Sequence, residues 1–91
     1  MSRLLIIEDE KELRESIAEM LELEGYTTIQ AENGTQGIEQ AKSSNPDLII
    51  CDIMMPDMDG FSVLRKLHED KIFTLTPFIF ITALSERKYQ R

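Results

Sequence analysis

The sequence has 91 residues, 42% of them hydrophobic and 30% charged, which suits one small globular domain spanning residues 1–91. Its 17 acidic residues outnumber 10 Lys and Arg, and the net charge of -7 argues against direct binding to nucleic acid or to an anionic membrane surface. The single cysteine, Cys51, excludes an internal disulfide. Because neither a membrane-spanning apolar run nor a signal-peptide pattern is present, we expect a cytoplasmic protein.

The N-terminal third predicts a strand followed by a helix. Residues 4–7 are apolar at every position, as in a strand buried on both faces, and the acidic pair Glu8-Asp9 ends the run. Residues 10–24 carry apolar side chains at helical spacing, and Gly25 is placed to end this helix. The predicted apolar stripe consists of Leu13, Ile17, Met20 and Leu21.

The middle of the chain repeats this alternation. Residues 27–31 favour a second strand, and Asn33-Gly34 supplies a turn or cap before a weak helix that residues 43–46 should break. A second fully apolar run, residues 48–51, ends at Asp52, and a loop containing Pro and Gly follows.

The third helix is predicted from about residue 61 to residue 70, and its expected stripe is Phe61, Leu64 and Leu67. Residues 77–82 predict a fourth strand, and Ser85 could cap a further helix. Strands that alternate with helices at this spacing indicate consecutive βαβ units and a parallel sheet.

Acidic residues end two of the predicted strands. If the first and third strands are neighbours, Glu8, Asp9 and Asp52 converge at one edge, since ligands bind at the carboxyl ends of parallel strands. Mutual repulsion would then favour a hard cation such as Mg²⁺, which prefers oxygen ligands. Asp52 could act as a nucleophile toward a phosphoryl group, and the hydroxyl of Thr82, at the end of the fourth strand, could contact the phosphoryl oxygens.

Three segments carry a family resemblance: LIIEDE at residues 5–10, DLIICDIMMPDMDG at residues 47–60 and ITA at residues 81–83. On the strength of these three segments, residues 4–85 resemble the receiver domains of two-component response regulators. The resemblance implies a flavodoxin-like parallel sheet of order 2-1-3-4, with Mg²⁺ as cofactor. It further implies that the chain is a phosphoacceptor switch, which receives its phosphoryl group from a histidine kinase or a phosphotransfer protein. Its own activity would be at most slow self-phosphorylation and dephosphorylation. A downstream effector domain would lie outside this chain.

The resemblance also assigns roles to individual residues. Asp52 would be the phosphoacceptor and a metal ligand, Asp9 a direct metal ligand, and Glu8 a ligand acting largely through water. The backbone carbonyl of Met54 would be a further ligand. Thr82 would be the switch hydroxyl, and Ala83 the small residue that leaves access for phosphate.

The sequence departs from the family pattern at its C-terminal end. Members continue through a fifth strand that ends in a lysine and through a last helix, and residues matching these are missing here. Lys88 is no substitute, because it falls in the start of the fourth helix. With order 2-1-3-4, right-handed crossovers put the first helix alone on one face, so part of strands three and four should lie bare. We therefore expect a homo-oligomer or an element-swapped dimer of this form.

Two alternatives to the phosphoacceptor remain: a receiver-like interaction module that is never phosphorylated, and an inactive truncated fragment. An aspartate-nucleophile phosphatase is suggested by DMDG at residues 57–60. That motif should directly follow a buried strand, whereas the apolar strand has already ended at Asp52, so we discount it.

Overall fold

The computed structural model describes residues 2–70 and 75–82, which form four strands and three helices in strict alternation. In chain order they are β1 (Arg3–Ile7), α1 (Lys11–Leu23), β2 (Thr27–Ala31), α2 (Gly34–Ser44), β3 (Leu48–Asp52), α3 (Gly60–Glu69) and β4 (Phe78–Ile81). Within the described residues, the four predicted strands and three predicted helices are all present, with their ends shifted by no more than a few residues.

The four strands form one parallel sheet of order β2-β1-β3-β4. The two fully apolar runs are its central strands: residues 4–7 of β1 are buried on both faces, whereas β3 alternates buried and partly buried residues. Along β1, Ile7 pairs with Ala31 of β2 on one side and with Cys51 of β3 on the other. The predicted parallel sheet and its order 2-1-3-4 are confirmed.

The helices divide between the two faces of the sheet as right-handed crossovers require. The main core lies beneath α2 and α3, where Ile38 and Met58 pack against it. Its buried members are Leu5, Ile7, Ala31, Ala41, Ile49, Cys51, Met55, Val63 and Leu67. Within residues 2–70 and 75–82, α1 is the one helix on the other face, where it contacts β1 and β2.

Side-chain caps and left-handed residues fix the helix ends. The Asn33 side chain accepts a hydrogen bond from the Gln36 N–H at 2.8 Å, which caps α2. The helix ends at Ser44, two residues into the segment expected to break it, and Asn45, whose φ of 49° is left-handed, is its C-cap. Gly25, with φ of 96°, ends α1 as expected.

Two predicted helix stripes were partly wrong. Met20 is 62% exposed on α1, whose buried residues are Arg14 and Ala18. Phe61 is 53% exposed on α3, and Val63 is buried in its place, together with Gly60 and Leu67. Apolar spacing alone did not show the rotation of either helix about its axis, because small and charged residues occupy positions on the inner faces.

No helix within residues 2–70 and 75–82 is both long enough and apolar enough to span a bilayer. The predicted cap at Ser85 and the positions of Ala83 and Lys88 lie outside the described residues.

Candidate functional site

The register of the sheet brings the predicted acids together. Ile7 of β1 pairs with Cys51 of β3. Glu8 follows Ile7 and Asp52 follows Cys51, so these two acids lie side by side at the carboxyl edge of the sheet. One carboxylate oxygen from each of Glu8, Asp9 and Asp52 lies within 4.8 Å of the other two. We call these three residues the acid cluster.

The acid cluster is largely removed from solvent. Glu8 and Asp52 are fully buried, and Asp9 is partly buried. Buried oxygens include Oδ1 of Asp9 and Oδ2 of Asp52. Negative charges placed this close repel one another, and burial strengthens the repulsion because less water screens it. The arrangement therefore favours a bound cation.

The backbone and side chain of Glu8 are held from several directions. Its N–H donates to the Ala31 carbonyl of β2 at 3.0 Å. Its Oε2 accepts a hydrogen bond from the Glu10 N–H at 2.8 Å, and its carbonyl accepts one from Arg14 Nη1 at 2.9 Å. The turn between β1 and α1 is thus fixed where it presents two of the three acids.

The loop after β3 folds back over Asp52. The Met54 N–H donates to Asp52 Oδ1 at 3.2 Å, and the Gly60 N–H donates to the Ile53 carbonyl at 3.0 Å. A Cβ atom on Gly60 would lie 2.7 Å from the Asp52 carbonyl oxygen and 3.1 Å from Ile53 Cα. Only glycine allows α3 to begin this close to the end of β3.

The remaining predicted site residues differ in how they relate to the acid cluster. Thr82 is exposed and directly follows Ile81, which pairs with Asp52, so it lies at the same edge of the sheet. Met54 adjoins the cluster through the N–H contact described above, and its side chain is 40% exposed. Ala83 lies outside the described residues.

The DMDG segment has a structural role. Asp57 is exposed, and Asp59 caps α3 by accepting a hydrogen bond from the Ser62 N–H at 2.8 Å. This backbone hydrogen bond, with help from the Ser62 side chain, lowers the pKa of Asp59 below its ordinary value of 3.8. Neither residue belongs to the acid cluster.

Two residues that adjoin the site were missed by reasoning from the sequence. Arg14 donates to the Glu8 carbonyl, and Gly60 makes room for the Asp52 carbonyl. Arg14 lies four residues before Ala18, on the face that α1 buries, but a charged residue in an amphipathic helix is expected to face water. No sequence pattern identified Gly60 either, because it follows a run of turn-forming residues and reads as part of the turn.

The fold and the acid cluster define a parallel α/β domain with a candidate divalent-cation site at the carboxyl edge of its sheet. The profile of the response regulator receiver domain matches residues 4–91. Among curated relatives, the transcriptional regulatory protein ResD of Bacillus subtilis is 39% identical over 85 residues, which cover 93% of this chain and 34% of ResD. Protein PilH of Pseudomonas aeruginosa is 35% identical over 82 residues, which cover 90% of this chain and 68% of PilH.

Solved structures agree with these matches. The chemotaxis protein CheY4 of Vibrio cholerae superposes with a TM-score of 0.87 at 27% identity, and the match covers 99% of this chain and 76% of CheY4. The response regulator TrrA of Thermotoga maritima, solved in complex with Mg²⁺ and BeF, superposes with a TM-score of 0.84 at 36% identity. That match covers 98% of this chain and 76% of TrrA.

The chain belongs to the response regulator receiver domain family. Receiver domains are signalling switches of two-component systems rather than classical enzymes, and they bind Mg²⁺ at an acidic pocket. Their partners are histidine kinases or phosphotransfer proteins and effector domains. The chain spans about a third of the length of ResD, 34%, and about two thirds of the length of PilH, 68%.

Proposed function

We propose that this chain accepts a phosphoryl group on the carboxylate of Asp52, from a histidine kinase or a phosphotransfer protein, with Mg²⁺ bound at the acid cluster. The observation that supports the proposal is the convergence of Glu8, Asp9 and Asp52, whose carboxylate oxygens lie within 4.8 Å of one another. Separate strand ends contribute these residues, and they meet only because β1 and β3 are neighbours.

The donor set suits Mg²⁺ better than a softer metal. All three ligand side chains offer oxygen, and Mg²⁺ takes oxygen ligands in an octahedron at about 2.0–2.1 Å, so opposite ligands are about 4.1 Å apart. The carboxylate oxygens of the acid cluster lie up to 4.8 Å apart, so one carboxylate can reach the ion through a water molecule instead of binding it directly. We assign that part to Glu8, and direct ligation to Asp9, Asp52 and the Met54 carbonyl. The bound ion would neutralise charge on the transferring phosphoryl group.

The transfer is a substitution at phosphorus. A carboxylate oxygen of Asp52 attacks the phosphorus atom of the donor phosphohistidine, and a new P–O bond forms as the P–N bond breaks. The electron pair of the broken bond stays on the imidazole nitrogen of the donor. The hydrogen bond from the Met54 N–H to Oδ1 orients the Asp52 carboxylate for this attack.

Two further residues would act after the transfer. We assign to the Thr82 hydroxyl a hydrogen bond to a phosphoryl oxygen, because Thr82 follows the strand that pairs with Asp52. Ala83 would keep the approach to the phosphoryl group open. The chain would then work as a switch whose turnover is limited to slow self-phosphorylation and dephosphorylation.

The test is incubation with a small-molecule phosphodonor and Mg²⁺, followed by intact mass measurement. We expect the wild-type chain to gain the mass of one phosphoryl group and Asp52→Asn to gain none. Asp57→Asn is the matched control, because it removes an exposed acid from the same loop and should behave as wild type. An equal gain in wild type and Asp52→Asn would reject Asp52 as the acceptor. No gain in the wild type would favour an interaction module that is not phosphorylated.

A further inference from the structure

Arg14 is a buried cation on the helix face that packs against the sheet. It is 9% exposed, and it is one of two residues that α1 buries. Arginine is rarely buried unless its donors are paired, because removing the guanidinium from water is unfavourable. Its partners therefore indicate why an arginine occupies this position.

The guanidinium joins the acid cluster to the neighbouring strand. Nη1 donates to the Glu8 carbonyl at 2.9 Å, and Nε donates to Gln30 Oε1 at 3.1 Å. The Glu8 carbonyl belongs to the peptide group that links Glu8 to Asp9, so this hydrogen bond fixes the plane from which both acidic side chains extend. The hydrogen bond to Gln30 fixes the guanidinium in turn against β2.

We propose that Arg14 is a positioning residue that sets the divalent-cation affinity of the acid cluster by holding the Glu8–Asp9 peptide in place. This inference rests on the proposed function, because it concerns the same cation site. Arg14 itself carries no ligand oxygen, so it acts through Glu8 and Asp9, as groups that orient metal ligands do in other sites.

The sign of the effect separates positioning from charge. A positive charge near the acid cluster repels a divalent cation, so an arginine that acted only through its charge would weaken binding, and its replacement by a neutral residue would tighten it. An arginine that positions the ligands strengthens cation binding, so its replacement weakens binding. Replacement by lysine keeps the charge but removes the fixed fork of N–H donors, so Arg14→Lys isolates the geometric contribution.

The experiment titrates Mn²⁺ into the chain and measures free Mn²⁺ by electron paramagnetic resonance, with Mg²⁺ as competitor. We expect Arg14→Lys to bind both ions about tenfold more weakly than wild type, the usual lower limit for losing a group that orients a ligand. Arg65→Lys is the matched control, because Arg65 is exposed on α3 and bonds Ser62 instead; it should leave affinity unchanged. Equal affinity in Arg14→Lys and wild type would overturn the inference.

Two further variants complete the test. Asp9→Asn should abolish tight binding; if it binds as wild type does, or if wild type binds no Mn²⁺, the proposed cation site fails and the inference fails with it. Thermal melting without metal shows whether Arg14→Lys is folded. If it is not, Gln30→Met decides, because it removes only the second partner of the guanidinium and should weaken binding measurably; unchanged affinity in that variant would overturn the inference.

Discussion

Asp59 shows how an exposed acid stabilises this fold without belonging to the acid cluster. Its carboxylate accepts the Ser62 N–H in the first turn of α3, where helix N–H groups have no partner within the helix. A negative charge is also favourable at this end of a helix. Both effects favour the charged form, which agrees with the lowered pKa of Asp59.

The lowered pKa makes the contribution of Asp59 dependent on pH. Because the pKa in the folded chain lies below 3.8, the ordinary value, the charged form adds stability at neutral pH, and this contribution is lost as the pH falls through the folded pKa. Asp59→Asn keeps a capping oxygen but cannot titrate. We expect wild type to melt above Asp59→Asn at neutral pH and the difference to shrink as the pH is lowered below 3.8, by circular dichroism. Asp59→Ala, which loses the cap, should melt below wild type at neutral pH and at acid pH alike. A difference between wild type and Asp59→Asn that is independent of pH would contradict the assignment.

At the scale of single residues, the sequence predicted the acids of the site but not their supports. Glu8, Asp9 and Asp52 could be placed because each follows an apolar run, and the end of a run marks the end of a strand. Arg14 could not, because a charged residue in an amphipathic helix is expected to face water. Its burial depends on Gln30 and on the Glu8 carbonyl, which lie in other elements.

At the scale of elements, the close packing of α2 on the sheet depends on a residue without a side chain. Gly37 lies on the buried face of α2, directly over Ile7 of β1. A Cβ atom at this position would lie 2.5 Å from Ile7 Cδ1 and 2.8 Å from its Cγ1. Because Ile7 is fully buried in the core, its side chain has little room to move.

Gly37→Ala should therefore lower the stability of the chain. Overpacking a core costs about 1–3 kcal/mol, and the better helix propensity of alanine offsets up to about 1 kcal/mol, so a net loss near 1 kcal/mol is expected. For a chain of this size that loss lowers the melting temperature by about 4–8 °C. Thermal denaturation followed by circular dichroism measures it.

A second variant tests the cause of that loss. Ile7→Val removes the Cδ1 atom that the new methyl group would meet, so Gly37→Ala should cost less in the Ile7→Val background than in wild type. Ile7→Val alone costs about 0.5–1.5 kcal/mol, which the double-mutant cycle subtracts. Additive effects of the two substitutions would show that the contact between α2 and β1 is not what makes glycine necessary.

The order and type of the elements were predictable because each has its own local signal. Fully apolar runs predicted the two central strands, and Asn33 and Gly25 marked a helix start and a helix end. The rotation of α3 was not predictable, because Gly60 packs against the Asp52 carbonyl and so determines that Val63 and Leu67, rather than Phe61, face the core. That contact lies between residues whose proximity only the folded chain reveals.

At the scale of the whole molecule, the two faces of the sheet differ in how fully the described residues cover them. Phe78 packs against the core beneath α2 and α3, so Ile79, the next residue of β4, points to the face where α1 lies. There α1 contacts β1 and β2, and Ile79 remains 48% exposed. Within residues 2–70 and 75–82, β4 is also an edge strand. An apolar edge of this kind favours pairing with another chain.

We therefore predict that the 91-residue chain associates with a second copy through the face that carries Ile79. Full burial of an isoleucine side chain stabilises by about 1.5–3 kcal/mol. About half of Ile79 is exposed, and a symmetric dimer buries that half in both copies, so the two copies together contribute about the same 1.5–3 kcal/mol to association. Ile79→Lys should thus weaken association about tenfold or more, since 1.4 kcal/mol corresponds to a factor of ten. Leu23→Lys is the matched control, because it adds the same charge at an apolar residue, 82% exposed, at the end of α1.

Sedimentation over a range of concentrations measures this association. Wild type and Leu23→Lys should form dimers with similar dissociation constants, whereas Ile79→Lys should remain monomeric at concentrations where they dimerise. Equal weakening by both lysine variants would place the contact elsewhere, because an added positive charge alone would then be enough to disturb it. A wild type that stays monomeric at every concentration would contradict the prediction and would require that the face of β4 be covered within a single chain.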